Sequence, residues 1–191
     1  MKRFVLVLTT TLLVTVNLAG CGGAQMEALS ENVGNPWVDI QSEGHDVNDS
    51  EFVPAFVKAN KASFNKLAKM LLSYDFSFQI GYYNNQMYVS IQNKVTSSEE
   101  SRLKNEVLQN KELMQYISAL LEIKYIVSVG RQSESINRVA ISFEGRSTSN
   151  GSLSRGVAYI PIKDWISSLF KGDIQPGHIT GNWYYRSSPR I

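Results

Sequence analysis

Apolar side chains recur every three or four residues in two long stretches of the chain, which is the spacing of an amphipathic helix. The first stretch covers residues 51–72, and Asp49 or Ser50 can cap its start. The second stretch begins after Thr96-Ser97-Ser98, where a Ser or Thr followed three residues later by Glu fits a capping box. The polar sequence Gln109-Asn110-Lys111 can divide this second stretch into two helices.

Strands are predicted where apolar and polar residues alternate. Residues 76–80 and 87–91 alternate at period two around Asn84-Asn85, and Asn tolerates the positive φ that a tight turn requires. This arrangement predicts a β-hairpin. Four further strands are predicted at residues 125–129, 139–143, 157–160 and 182–186.

The remaining segments connect these elements. We expect a long polar loop at residues 145–151, a short helix at residues 164–170 and a turn at residues 175–177. The resulting order, α-β-β-α-β-β-β-α-β, is typical of an α+β domain. We therefore expect an antiparallel sheet of about five to six strands, covered on one face by two long helices and one short helix.

The first 21 residues have the pattern of an export signal. Two cationic residues, Lys2 and Arg3, precede an apolar run of about thirteen residues, whereas a bilayer-spanning helix needs roughly 20. The run ends at Leu18-Ala19-Gly20-Cys21, which resembles the lipobox of bacterial lipoproteins. The resemblance implies that residues 1–20 are a signal peptide, and that a diacylglyceryl group on Cys21 anchors the chain to the extracytoplasmic face of a membrane. An ordinary signal peptide followed by an unrelated cysteine is the alternative.

The charge distribution separates a linker from a domain. Residues 22–51 contain seven acidic residues and neither Lys nor Arg, whereas residues 52–191 contain 17 basic and 10 acidic residues. We interpret residues 21–49 as the lipidated Cys21 followed by an acidic flexible linker, and residues 50–191 as a single α+β domain. Within the linker, Trp37, Val38 and Ile40 can dock on the domain as a short extended segment.

No motif in the sequence indicates catalysis or a cofactor. Cys21 is the only cysteine, and we expect both histidines, His45 and His178, in solvated loops. The acidic residues between 39 and 51 are oxygen ligands suited to calcium, but their spacing does not match an EF-hand loop. Glu144, at a strand end, is a candidate for carboxylate chemistry. We expect no cofactor and no metal.

Two groups of side chains are candidate contacts for a ligand. The first group is the basic face of the first predicted helix, and the second is a set of strand aromatics. Their members are Lys58, Lys61, Lys66 and Lys69, and Tyr82, Tyr83, Trp183 and Tyr185. Neighbouring strand residues point to opposite faces, so we expect one of each adjacent aromatic pair to pack in the core.

These observations favour a non-enzymatic, membrane-anchored binding or interaction module. Its partners would be the membrane, through the lipid anchor, and an envelope polymer, peptide or protein. The alternative is a cell-envelope hydrolase that uses carboxylate chemistry. Nucleic acid is not expected as a partner, because the export signal directs the chain away from it.

We predict that Cys21→Ser abolishes lipid attachment and the cleavage that follows it, because the thiol is the group that would carry the lipid. Metabolic labelling with a fatty-acid analogue measures attachment, and the mass of the purified chain measures cleavage. Label retained by the Ser variant would contradict the lipobox assignment.

Overall fold

A computed structural model describes residues 35–44, 46, 49–84, 86–132, 137–148, 151–161 and 177–189. Several predictions concern residues outside these ranges and remain predictions. They are the signal peptide at residues 1–20, Cys21, the linker up to residue 34, the placement of His45 and the short helix at residues 164–170.

A seven-stranded sheet forms the centre of the described structure. The strands are β1 (Phe78–Tyr83), β2 (Gln86–Ile91), β3 (Ile126–Gln132), β4 (Arg138–Thr148), β5 (Gly151–Tyr159), β6 (Gly177–Thr180) and β7 (Trp183–Pro189). Their order across the sheet is β2-β1-β3-β4-β5-β7-β6, and all neighbours are antiparallel. The predicted α+β class is confirmed, with slightly more strands than the five to six expected.

Four α-helices belong to the described structure: α1 (Phe52–Ala59), α2 (Lys61–Leu72), α3 (Ser97–Gln109) and α4 (Lys111–Leu121). The predicted cap at Thr96 is confirmed, since its side chain accepts a hydrogen bond from the Glu99 N–H at 3.3 Å. The expected division at Asn110 is also confirmed, and the Asn110 side chain caps α4 by accepting from the Leu113 N–H at 3.1 Å. None of these helices, nor any other in the described part of the chain, is long and apolar enough to cross a bilayer.

The single helix expected over residues 51–72 is instead two helices, separated at Asn60. This residue is only 3% exposed, and its side-chain oxygen accepts a hydrogen bond from the Val38 N–H at 2.7 Å. Its side-chain nitrogen donates to the carbonyl oxygens of Val38, at 2.9 Å, and Phe56, at 3.0 Å. At the break between α1 and α2, the buried side-chain amide of Asn60 thus bonds to the backbone of Val38, 22 residues earlier in the chain.

The segment that Asn60 holds is part of the packed structure. Trp37 and Ile40 are buried in the core, whereas the Val38 side chain is 51% exposed. The Trp37 indole N–H donates to the Tyr116 carbonyl of α4 at 2.9 Å, and its ring packs edge-on against Phe64 of α2. Docking of this segment is thus confirmed for Trp37 and Ile40, although Ile40 begins a short 3₁₀ helix, Ile40–Glu43, and is not in an extended segment.

All four helices share one core with one face of the sheet. In the observed register, alternate residues of adjacent strands lie side by side on this face: Phe78 and Ile80 of β1, Val129 of β3, and Ile141 and Phe143 of β4. All of these side chains are buried together with the apolar stripes of the helices. Burying apolar surface stabilises the fold by about 25 cal/mol per Å² removed from water.

Two predicted connections are strands in the structure. The expected loop at residues 145–151 is replaced by a continuation of β4 and β5, which pair as far as Thr148 and Gly151. A register shift lies between Phe143 and Arg146, so a pattern of strict alternation did not reveal the extension. His178, expected in a turn, lies in β6, a four-residue strand too short to show a period.

We predict that Asn60→Ala lowers the free energy of unfolding by about 1–3 kcal/mol, because it removes the buried partner of both backbone groups of Val38. For a domain of this size that loss lowers Tm by roughly 2–12 °C. Thermal unfolding followed by circular dichroism measures the effect. Asn105→Ala, at an exposed position of α3, is the matched control and should change Tm little. Equal Tm values for the two variants would contradict a structural role for Asn60.

Candidate binding surface

The most exposed aromatic residues of the described structure lie at the tip of the β1–β2 hairpin. Tyr83 is 72% exposed and Tyr82 is 42% exposed. They are the last two residues of β1 and pair with Gln86 and Met87. Asn84 follows them with φ +50°, the left-handed conformation that was expected of an Asn at this turn. Both tyrosines are outside the core, although alternation predicted that one of them would face inward.

A further apolar side chain extends the exposed corner onto the neighbouring strand. Val127 of β3 is 47% exposed and lies at a register shift between Ile126 and Ser128. Ser128 pairs with Gly81, the residue directly before Tyr82. We call Tyr82, Tyr83 and Val127 the hairpin corner.

Polar side chains extend from this corner along the face of the sheet opposite the helices. The side-chain nitrogen of Gln79 donates to the Ser128 hydroxyl at 2.9 Å, and Gln92 donates to the Gln79 carbonyl oxygen at 3.1 Å. The Tyr88 hydroxyl lies 3.5 Å from the same Gln79 nitrogen. Tyr88 also crosses over Gly81, where an added Cβ would lie 3.0 Å from its hydroxyl oxygen. These groups bond mainly to one another, so the adjoining face is ordered and polar.

The two aromatic candidates on β7 lie in the core instead of on this surface. Trp183 is fully buried, packs edge-on against Phe64 at 5.0 Å between ring centroids, and donates its indole N–H to the Asn65 side chain at 3.0 Å. Tyr185 is 8% exposed and belongs to the same core. In this conformation neither ring offers a face to a ligand in solvent, because α2 covers that side of β7 at Trp183.

One of the four candidate lysines connects two helices. The Lys66 ammonium lies 2.7 Å from a Glu112 carboxylate oxygen of α4 and 4.8 Å from the centre of the Tyr116 ring. The hydrogen bond with Glu112, and then that with Tyr116, raises the pKa of Lys66. Lys66 is thus already neutralised by a carboxylate, which makes it the least suited of the four to bind an anion.

The other three lysines, Lys58, Lys61 and Lys69, are exposed. Among the described residues, no carboxylate forms an ion pair with any of them. Lys58 is on α1, whereas Lys61 and Lys69 are on α2. The four lysines predicted on the basic face of one helix are therefore divided between two helices at Asn60. Around the axis of α2, Lys69 lies between Asn65 and Lys66. Asn65 bonds to Trp183 of β7, and Lys66 pairs with Glu112 of α4.

Asp39, one of the acidic residues considered for calcium, has structural contacts. Its carboxylate accepts hydrogen bonds from the Gln41 N–H at 3.0 Å and from the Tyr125 hydroxyl at 3.1 Å. Burial raises the pKa of Tyr125, and the charge of Asp39 and this hydrogen bond raise it further. Within the described ranges, no group of three His, Cys, Asp or Glu side chains is arranged to hold a metal ion.

Two further titratable groups of the described residues, His178 and Glu99, have surroundings that do not indicate catalysis. His178 is exposed, and its Nε2 lies 2.9 Å from the Gly181 carbonyl oxygen, so this nitrogen carries the proton and donates. An open depression at the start of α3 contains Lys94, Val95, Thr96 and Glu99. A hydrogen bond from Arg102 lowers the pKa of Glu99, whereas a carboxyl general acid requires a raised pKa.

Sequence reasoning identified Tyr82 and Tyr83 but missed Val127 and the bonded group of Gln79, Gln92, Ser128 and Tyr88. The hairpin pattern was the signal for the two tyrosines. Val127 carries no comparable signal, because its exposure depends on a register shift in β3.

No family model, curated protein or solved structure matches this chain.

Proposed function

We propose that this chain is an extracytoplasmic lipoprotein, anchored through Cys21, whose domain is a non-enzymatic binding module for a component of the cell envelope. The single observation that carries the proposal is the hairpin corner. Two adjacent tyrosines are held 42% and 72% exposed in a domain that buries most of its other described aromatic rings. The anchor is supported by the lipobox resemblance at residues 18–21.

Exposed tyrosines have the properties of contact residues. A Tyr side chain presents a large apolar ring at a low cost in conformational entropy and can also form a hydrogen bond through its hydroxyl. Tyr is among the residue types that contribute most to binding energy at interfaces. The rings at the hairpin corner project from a pair of hydrogen-bonded strands, so little ordering is needed when a partner binds.

The ligand class that we propose is a glycan polymer of the envelope. Aromatic rings can stack on the apolar faces of sugar rings, and the Gln79 amide and the Tyr88 hydroxyl, on the same face of the hairpin as Tyr83, can bond to sugar hydroxyls. A membrane-anchored domain would meet such a polymer outside the membrane.

We predict that replacing both tyrosines in Tyr82→Ser/Tyr83→Ser weakens binding to purified peptidoglycan sacculi by about ten-fold or more, since each contact Tyr contributes on the order of 1–2 kcal/mol. Co-sedimentation of the domain with sacculi measures the binding. Circular dichroism should be unchanged, because both side chains are largely outside the core.

Tyr82→Phe/Tyr83→Phe is the matched control, because it keeps both rings and removes only the hydroxyl groups. It should retain most of the binding if ring stacking dominates. Wild-type affinity in the Ser variant would show that the hairpin corner is not the contact surface.

The unpaired lysines of α2 support a second contact, with the anionic membrane surface to which the anchor would bring the domain. We predict that Lys61→Gln or Lys69→Gln weakens binding of the unlipidated chain to anionic vesicles about five-fold at low salt, since each lysine near such a surface contributes roughly 1 kcal/mol. Lys104→Gln removes the same charge from α3, where Lys104 is already paired with Glu100 at 2.7 Å, and is the control. Equal losses from all three variants would indicate a general charge effect and no specific contact.

A further inference from the structure

The edge strand β2 lacks the features that usually prevent edge-to-edge pairing. Proteins protect exposed edges with short strands, bulges, prolines or charged side chains. The six residues of β2, Gln-Met-Tyr-Val-Ser-Ile, include no charge and no proline, and the pairing with β1 has no register shift. The opposite edge is different, because β6 has four residues and a register shift between His178 and Thr180.

The alternation of hydrogen-bonded and non-bonded residue pairs along the hairpin shows which backbone groups of β2 point away from β1. In an antiparallel ladder, pairs that exchange hydrogen bonds alternate with pairs that do not. The Gln92 N–H donates to the Ser77 carbonyl oxygen at 2.9 Å, which makes this the last bonded pair of the ladder. In the register of β1 and β2, the N–H and C=O groups of Met87, Val89 and Ile91 therefore point away from β1.

These outward groups have no partner among the described residues. No hydrogen bond joins the backbone of Met87, Val89 or Ile91 to any part of the chain that the structure describes. Their side chains lie on the helix-covered face, where they are half-buried and pack against the core. The edge is thus regular, apolar on one face, and able to form further backbone hydrogen bonds.

We propose that β2 pairs with β2 of a second copy of this chain, antiparallel about a two-fold axis at Val89. In this register Val89 lies opposite Val89 of the second copy, and Met87 lies opposite Ile91 of the second copy. The three outward residues of each strand then form about six interchain hydrogen bonds. The two sheets become one continuous sheet.

The side chains of β2 are complementary to themselves in this register. On the helix-covered face, apolar side chains meet apolar side chains, which increases the burial of three residues that are half-buried in one copy. On the other face, Tyr88 lies opposite Ser90 of the second copy, so an aromatic ring meets a small polar residue. No like charges meet, because β2 has no charged side chain. This self-complementarity favours a second copy over an unrelated extended peptide.

The first test uses the full chain carrying Cys21→Ser, in a mild detergent, with its mass measured by analytical ultracentrifugation over a range of concentrations. A concentration-dependent dimer is expected. Val89→Pro should weaken it at least ten-fold, because it removes the central outward N–H. That N–H forms no hydrogen bond within the described chain, so the substitution should leave the monomer folded.

Val89→Thr is the matched control, since it keeps the backbone N–H and a β-branched side chain, and it should still dimerise. Circular dichroism of the three proteins checks that the fold is retained. A wild-type chain that stays monomeric at all concentrations would overturn the proposal. So would a dimer that Val89→Pro leaves unchanged, or a monomer whose β2 edge binds an extended peptide.

The second test examines the register and does not depend on the Pro variant. In the chain carrying Cys21→Ser, Val89→Cys introduces the only thiol, and the two Cα atoms across the axis would be about 5.5 Å apart, within the range that a disulfide can bridge. Mild oxidation should give a crosslinked dimer. Tyr83→Cys, an exposed thiol away from the axis, is the control and should crosslink much less. Equal crosslinking by the two variants would rule out the proposed register.

Discussion

Phe64 of α2 is the side chain at which the N-terminal segment, α1 and β7 meet. It is fully buried in α2, and three aromatic rings pack edge-on against it. Trp37, from the N-terminal segment, and Trp183, from β7, each lie 5.0 Å from it between ring centroids, and Phe56 of α1 lies at 5.7 Å. Residues separated by more than a hundred positions in the chain therefore depend on one ring for their packing, and a smaller side chain there would leave a cavity bordered by three elements.

This packing also explains which surfaces remain available. Because the helices cover one face of the sheet, Trp183 and Tyr185 are buried in the core. The most exposed described aromatic residues are Tyr82 and Tyr83, in the hairpin corner at the end of β1. The unpaired lysines are on the outer surface of the helices, and the open backbone groups are on β2. The lysines lie apart from the sheet, whereas the hairpin corner and the open edge of β2 belong to the same hairpin, where Tyr82 and Tyr83 pair with Met87 and Gln86. The proposed pairing uses the outward backbone groups of β2, and the proposed polymer contact uses the two tyrosine rings.

The proposed anchor and the proposed pairing would reinforce each other. Lipid attachment at Cys21 would confine copies of the chain to one membrane plane and raise their effective concentration, which promotes a weak edge-to-edge contact without any new interaction. Pairing would in turn place two hairpin corners and two sets of lysines in one assembly. Multivalent contact of this kind increases avidity for a repetitive polymer or a charged surface.

The sequence by itself determined the α+β class, the β1–β2 hairpin, the helical stretches and the break at Asn110, because each depends on local periodicity or on a cap formed within three residues. It also identified Tyr82 and Tyr83 as candidate contacts. Only the tertiary structure decided the break at Asn60, whose amide bonds to Val38, and the pairing of Lys66 with Glu112, because those partners are 22 and 46 positions away. The same holds for the burial of Trp183 and the extension of β4 and β5, since alternation shows that neighbouring residues face opposite ways but not which face a distant helix covers.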